Sequence, residues 1–276
     1  MQQRHPRGRA LWFVAAALVA ATGAAYEPTL TSAHAPTLAL IVDDLGYSLE
    51  HGRRAIALPG PVTVAVLPFA PNTTTLAKLA AAEGTDVILH EPMQAAEETP
   101  SVPGTLTATM SDADLRRQFQ RALADVPQAI GVNNHTGSLL TAQRAPMLAL
   151  MAELRVHGLF FLDSRTTPDT VARDVAIEEG VPATRRDVFL DHVVDADDIA
   201  AEFEHAILIA RRQGHAVLIA HPYDVSLAFL EQALPTLGAR GVTQIRLAAM
   251  IEPAVRPAAA PAQSVARAFP RTAPAL

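Results

Sequence analysis

Apolar positions in this chain come in short runs, and between the runs they recur at helical spacing. Thr37 to Val42 (TLALIV), Val62 to Leu67 (VTVAVL), Asp86 to Leu89 (DVIL), Ala129 to Val132, Leu159 to Leu162 (LFFL), Asp187 to Leu190, His215 to Ala220 (HAVLIA) and Thr243 to Leu247 have the length of buried strands, and most are rich in β-branched or aromatic residues. The segments between them read as helices. Ser48 to Leu58 ends at Pro59-Gly60, and Asn72 to Ala82 has Gly84 at its end. Ser111 and Asp114 make a capping-box pattern ahead of a helix to Asp125. From Ala142 to His157, the residues Met147, Leu150, Met151 and Leu154 repeat at helical spacing, and Gly158 stops the helix. Thr170 to Glu179, Asp197 to Gln213 and the stretch after Pro222 complete the set.

Strand followed by helix, repeated about eight times, predicts parallel strands joined by crossover helices. The stretch from Thr37 to Ile251, about 215 residues, suits one (β/α) barrel of seven to eight parallel strands, similar to a TIM barrel. No shift in composition marks a second domain, so a single domain is expected over 37–252. Residues 26–36 read as a linker, and the Ala- and Pro-rich tail, 253–276, as disordered. One stretch breaks the alternation: Glu91 to Met110, with three prolines and Gly104, reads as a long loop. In a compact domain such a loop is more often functional than idle.

Residues 1–25 follow another pattern. Arg4, Arg7 and Arg9 precede the apolar run Leu11 to Ala21, and Gly23-Ala24-Ala25 offers small residues for cleavage, as in a signal peptide. The run is short for a membrane span, which needs about 20 residues. An uncleaved anchor, with membrane contact through this segment only, is the other reading. Either way the domain is expected to be exported, to the periplasm or cell envelope.

The 276 residues carry a formal charge of −6, and no basic run follows residue 9, which argues against a nucleic-acid partner. There is no cysteine, which excludes disulfides, thiolate nucleophiles and thiolate metal ligands. Any metal must be held by His, Asp or Glu, and the chain has ten histidines.

The chemistry-bearing residues share a position. Asp43, Asp44, His90, Asn133, Asn134, His135, Asp163, Arg165, Asp191, His192 and His221 all follow closely on predicted strands. In a parallel barrel those strand ends open on one face, where active sites form. Each residue also has a plainer reading. One of Asp43 and Asp44 can cap a helix while the other faces water; against that, two carboxylates ending a buried strand are costly without a positive partner, and a metal ion is one. His90 can be hydrogen-bonded rather than metal-bound. Its surroundings, His-Glu-Pro-Met-Gln, do not fit the zinc-protease helix motif, because Gln94 stands where a second His is needed and Pro92 breaks any helix. Asn133 to Ser138 can be a polar turn, Asp163 and Arg165 can pair with each other, and His221-Pro222 can be a rigid turn.

Five ordered motifs decide between these readings. Ile-Val-Asp43-Asp44-Leu-Gly-Tyr, Leu-His90-Glu-Pro-Met, Gly-Val-Asn133-Asn134-His135-Thr-Gly137-Ser138, Phe-Leu-Asp163-Ser164-Arg165-Thr166 and Ala-His221-Pro222 resemble those of the divergent polysaccharide deacetylases, a distant branch of the carbohydrate esterases. The resemblance spans about Pro36 to Ile251. It implies a distorted (β/α) barrel, a polysaccharide or glycan substrate, and hydrolysis of an N-acetyl amide assisted by a divalent metal, zinc by expectation. Carried over from the better-known branch, Asp43 becomes the general base, Asp44 and His90 metal ligands, and His221 the general acid. Gln94 replaces the second ligand His, and His135, from another strand, is inferred to stand in as the third ligand. Asp163 and Arg165 fall where the better-known branch orients the late His. Asn133, Asn134 and Ser138 are expected near the sugar, with Asn133 and Asn134 also able to brace His135. The altered motif leaves a second reading, a non-catalytic domain that binds envelope glycan or a protein partner.

Overall fold

The computed structural model describes residues 35–97 and 102–251. The expected signal segment, most of the linker, the tail from 253 and part of the long loop lie outside them. In chain order the elements are β1 (Thr37–Leu45), α1 (Leu49–Ile56), β2 (Val62–Val66), α2 (Thr73–Ala82), β3 (Asp86–Met93), α3 (Asp112–Asp125), β4 (Gly131–Thr136), α4 (Arg144–His157), β5 (Phe160–Asp163), α5 (Ala172–Glu178), β6 (Ala183–Arg185), β7 (Val188–Phe189), α6 (Ala196–Gln213), β8 (His215–Ala220), α7 (Asp224–Ala233), β9 (Thr243–Gln244) and α8 (Leu247–Ile251). None of the helices among the described residues is long and apolar enough to cross a membrane.

All strand pairings are parallel, in the order β6-β5-β4-β3-β2-β1-β8-β7, with β9 beside the start of β1. β6 and β7 stand at opposite ends of that order, yet only Arg186 and Asp187 separate them in sequence. Arg186 N–H still donates to Asp163 O on β5, and Asp187 N–H already donates to Val217 O on β8. One irregular strand thus crosses from one sheet edge to the other and curls the sheet into the expected distorted barrel. Sequence pattern overlooked β6, because Ala183-Thr184-Arg185 has no apolar signal.

Side chains alternate across each strand. Leu38, Leu40 and Val42 face the helices and join the larger core, while Ala39 and Ile41 face the barrel interior with Ala65, Ile88, Val217 and Ile219. Leu247 and Ile251 of α8 join that interior cluster. The predicted strand Thr243 to Leu247 therefore ends early: the ladder stops at Gln244, and Leu247 opens a helix whose apolar side is drawn inward. Helix starts follow the expected caps, with Ser48 Oγ accepting from His51 N–H and Ser111 Oγ from Asp114 N–H.

The strands that carry the site run longer or later than their apolar runs. β3 continues through His90 to Met93, and β4 occupies Gly131–Thr136 rather than 129–132. The two extend together, pairing His90 with Asn133 and Pro92 with His135. Ladder hydrogen bonds outweigh the weak β propensity of Asn and Pro here. Gln94 knits the chain after β3: its O accepts from Leu139 and Leu140 N–H, and its Oε1 from Ala108 N–H.

The same extension buries Glu91 on the helix-facing side with Leu89 and Met93. Glu91 is fully buried, neither carboxyl oxygen has a hydrogen-bond partner, and burial pushes its carboxyl well above the usual range. An acid raised in the folded state binds protons more tightly there, so its contribution to stability falls as pH rises above the unfolded value of about 4.3. We expect Glu91→Met to stabilise the fold by about 1–3 kcal/mol near neutral pH, with a gain that shrinks towards pH 4. Thermal unfolding across that range measures it, and a gain independent of pH would count against the argument.

Candidate metal and hydrolytic site

Asp43 and Asp44 are consecutive in β1, so a regular strand would send them to opposite faces. A register shift between Val42 and Leu45 prevents this: Val42 pairs with Val64, and Leu45 with Val66. The extra residue is a β-bulge, with Asp44 in the left-handed region at φ 61. Asp43 keeps the inward direction set by Ile41, and the bulge turns Asp44 to the same cavity. Gly46 completes the turn at φ 144, where a Cβ would stand 2.8 Å from Ala70 Cβ. Only glycine fits both demands.

Inward parity also aims His90 (after Ile88), Asn133 and His135 (after helix-facing Val132) and His221 (after Ile219) at the mouth. Asp44 Oδ1 lies 3.0 Å from His90 Nε2 and 2.9 Å from His135 Nδ1, and those nitrogens are 3.1 Å apart. Neither ring is angled to donate to Oδ1, which stays buried without a hydrogen-bond partner. His90 Nδ1 meets Asn133 Oδ1 at 2.8 Å, so with Nδ1 donating, Nε2 presents a lone pair. These three donors fit a cation, since their separations suit ligand atoms about 2.0–2.1 Å from a shared ion. Two imidazoles and one carboxylate suit a divalent ion.

Asn133 joins this group to the neighbouring carboxylate. Its Nδ2 donates to Asp43 Oδ1 (2.9 Å) and approaches Ser164 Oγ (3.3 Å). Asp43 Oδ2 stands 3.8 Å from His90 Nε2. Across the cavity His221 Nε2 lies 3.9 Å from Asp44 Oδ2, while its Nδ1 is 2.9 Å from Asp191 Oδ1. Asp191 Oδ2 accepts from His221 N–H and Ser226 Oγ–H, which fixes the carboxylate and, through it, the ring.

Charge follows from these contacts. Burial alone would raise Asp44, but the His135 and His90 imidazoles set against its Oδ1 hold it well below the usual carboxylate range. Burial opposes charge on His90, yet Asp43 and Asp44 raise it to about 9. His221 is likewise raised, its burial outweighed by Asp191, Asp43 and Asp44. The cavity, about 330 Å³, is walled further by Ser164, Arg165, Thr166, Arg186, Phe189 and Ile219.

Several expected roles change. Asp163 does not orient His221; Asp191 does. On β5 the interior residue is Leu162, so Asp163 points the other way, accepting from Arg165 N–H (2.8 Å) and Thr170 Oγ1 (2.9 Å). Arg165 lines the cavity but makes no hydrogen bond to His221. Asn133 is fully buried beneath the site and braces it. Asn134 lines the cavity, but its amide is engaged by Thr136 O and Ser164 N–H. Ser138 lies off the cavity and accepts from Ala96 N–H. Gln94 is likewise outside the donor group. Asp191 was visible in sequence as a carboxylate closing the weak strand at Leu190; Arg186 and Phe189 left no signal.

Residues 40–251 match the divergent polysaccharide deacetylase family. The chain belongs to this family. It is 35% identical to YibQ of Escherichia coli over 219 residues, 79% of this chain and 68% of that one. Among solved structures, ATU2773 from Agrobacterium tumefaciens is 25% identical with a TM-score of 0.76, over 80% of this chain and 91% of that one. A mutant of BA3943, described as a CE4 family pseudoenzyme with restored enzymatic activity, shares the fold at 14% identity and a TM-score of 0.51, over 79% of this chain and 67% of that one.

Two outcomes follow for this family member. Asp191→Asn removes the negative charge that favours imidazolium and lowers the His221 pKa, read by NMR titration, whereas Asp163→Asn leaves it in place; the reverse result would return the orienting role to Asp163. A metal ion must displace the His90 proton, so affinity rises with pH, by up to about tenfold per unit, until pH 9. Calorimetry in buffers of differing ionisation enthalpy should find close to one proton released per ion near pH 7.

Proposed function

We propose that this chain is an exported metal-dependent hydrolase that removes acetyl groups from N-acetylated sugars of an envelope polysaccharide. The observation that carries the reading is the divalent donor group Asp44–His90–His135 with a second carboxylate, Asp43, on one side and a carboxylate-held imidazole, His221, on the other. Family membership supports the carbohydrate deacetylase class. Export is supported by the Arg4–Arg9 charges ahead of Leu11 to Ala21. Exposed Tyr223, 5.9 Å from the His221 ring, suits the face of a sugar.

Asp44, His90 and His135 would hold a divalent ion, zinc by this reading, which would acidify water and polarise the acetyl carbonyl. Asp43 is placed to accept the proton of water attacking the carbonyl carbon. Asn133 keeps Asp43 and His90 in fixed relation through both steps. His221, its Nδ1–H given to Asp191, carries its second proton on Nε2 and passes it to the amine nitrogen as the C–N bond breaks. Acetate and the free amino sugar leave. Asp191 makes the imidazolium available to higher pH than an ordinary His, which suits an acid.

The complete donor group weighs against the non-catalytic reading that Gln94 suggests. The deciding experiment loads full-length protein with zinc and follows acetate release from N-acetylated oligosaccharides. Asp44→Asn should abolish zinc binding and turnover together. His221→Asn should keep zinc while lowering kcat by roughly 10²–10⁴-fold. Glycan binding indifferent to chelator, with no metal bound at saturation and no acetate released, would favour a binding domain instead.

A further inference from the structure

Two guanidinium groups border the same cavity without an acidic partner. Arg186, in the link between β6 and β7, donates from Nε to Ser164 O (2.6 Å) and from Nη2 to Arg165 O (2.9 Å). Its Cζ stands 4.9 Å from the Phe189 ring centroid. These contacts fix the guanidinium plane while using two of its five N–H groups. Arg165 is pinned by its backbone instead: φ is 51, its N–H donates to Asp163 Oδ1, and its carbonyl is held by Arg186. Its side chain is exposed and makes no hydrogen bond among the described residues. Neither arginine forms an ion pair among those residues, although Arg54, Arg144, Arg155, Arg240 and Arg246 all do.

Like charges held together at a cavity wall cost free energy, and burial with the neighbouring Arg165 charge pushes Arg186 below its ordinary range even though Asp43 and Asp163 pull the other way without pairing with it. Here a strained turn, two backbone carbonyls and an aromatic face are spent on keeping the pair at the cavity. A planar anion from a ligand offsets the cost, because the guanidinium fork matches a carboxylate in geometry and charge. We propose that Arg165 and Arg186 form a carboxylate subsite, so that the saccharide taken here is acidic, with a carboxylate on the acetylated sugar or on the unit next to it. This rests on reading the cavity as a saccharide site, and it explains Asp163, whose Oδ1 and Oδ2 fix the turn that presents Arg165.

The test compares an N-acetylated oligosaccharide bearing one ether-linked carboxylate with its methyl ester, which keeps shape and loses charge. Binding to the full chain is measured by calorimetry before and after zinc loading, with acetate release followed in parallel. The acid should bind at least tenfold more tightly than the ester, as charged hydrogen bonds of this kind imply. Arg165→Gln, at an exposed position, should erase that preference while zinc affinity stays unchanged, and Arg186→Lys should retain only part of it. Equal binding of acid and ester, binding of neither, or a preference that survives Arg165→Gln overturns the proposal. Arginine-dependent selection of the acid without acetate release keeps the subsite and sinks the hydrolase reading. Equal acetate release from both sinks the subsite and leaves the hydrolase.

Discussion

The bulge in β1 is the constraint from which the site follows. Without it Asp44 would point at the helices, and a carboxylate would sit in the larger apolar core. With it, two adjacent carboxylates face one cavity, at a cost of roughly 1–2 kcal/mol for the left-handed residue and more for like charges in a low dielectric. Positive or hydrogen-bonding partners must converge there. Three parallel strands supply them: His90 from β3, His135 two residues further along the neighbouring β4, and His221 just past the end of β8. The raised His90 and depressed Asp44 are two views of that one convergence.

Two residues behind the site keep its parts separate in role. Asn133 ties His90 to Asp43 without touching Asp44, so a ligand and a base share one brace. Asp191 holds His221 from behind by accepting two hydrogen bonds from it, and is itself fixed by a third from Ser226. Both braces are buried: Asn133 is fixed within the β4 ladder, and Asp191 follows β7 by two residues, just after Leu190 N–H donates to Ile219 O. Such anchoring gives the precision that proton transfer requires.

The barrel, its strands apart from β6, and the mouth that gathers the polar residues were legible in sequence, because apolar runs and caps are local signals. Most of the expected metal and acid–base residues, Asp43, Asp44, His90, His135 and His221, meet at one cavity. Parity was the weak point. Asp163 and His221 both follow apolar runs, but their offsets from the last interior residue differ by one, and one residue reverses the face. Asn133 is expected to bind the sugar or brace His135 when β4 is placed two residues too early; once the ladder extends, it lies under the site. These errors share one origin: strand ends are set by pairing with a neighbour, which a single run does not reveal.

The closing strand shows how far that limit reaches. Ala183 to Phe189 has the poorest strand signal in the chain, since it is bound half to β5 and half to β8 and never presents a regular face. Its irregularity is nevertheless what crosses the gap between sheet edges. The crossing turns Arg186 and Phe189 towards the cavity and carries Asp191 up to His221. One segment thus completes the barrel, walls the cavity and orients the acid. A change that straightened it onto either neighbour would open the barrel and dismantle that half of the site together, while leaving the Asp44–His90–His135 group on β1, β3 and β4 intact.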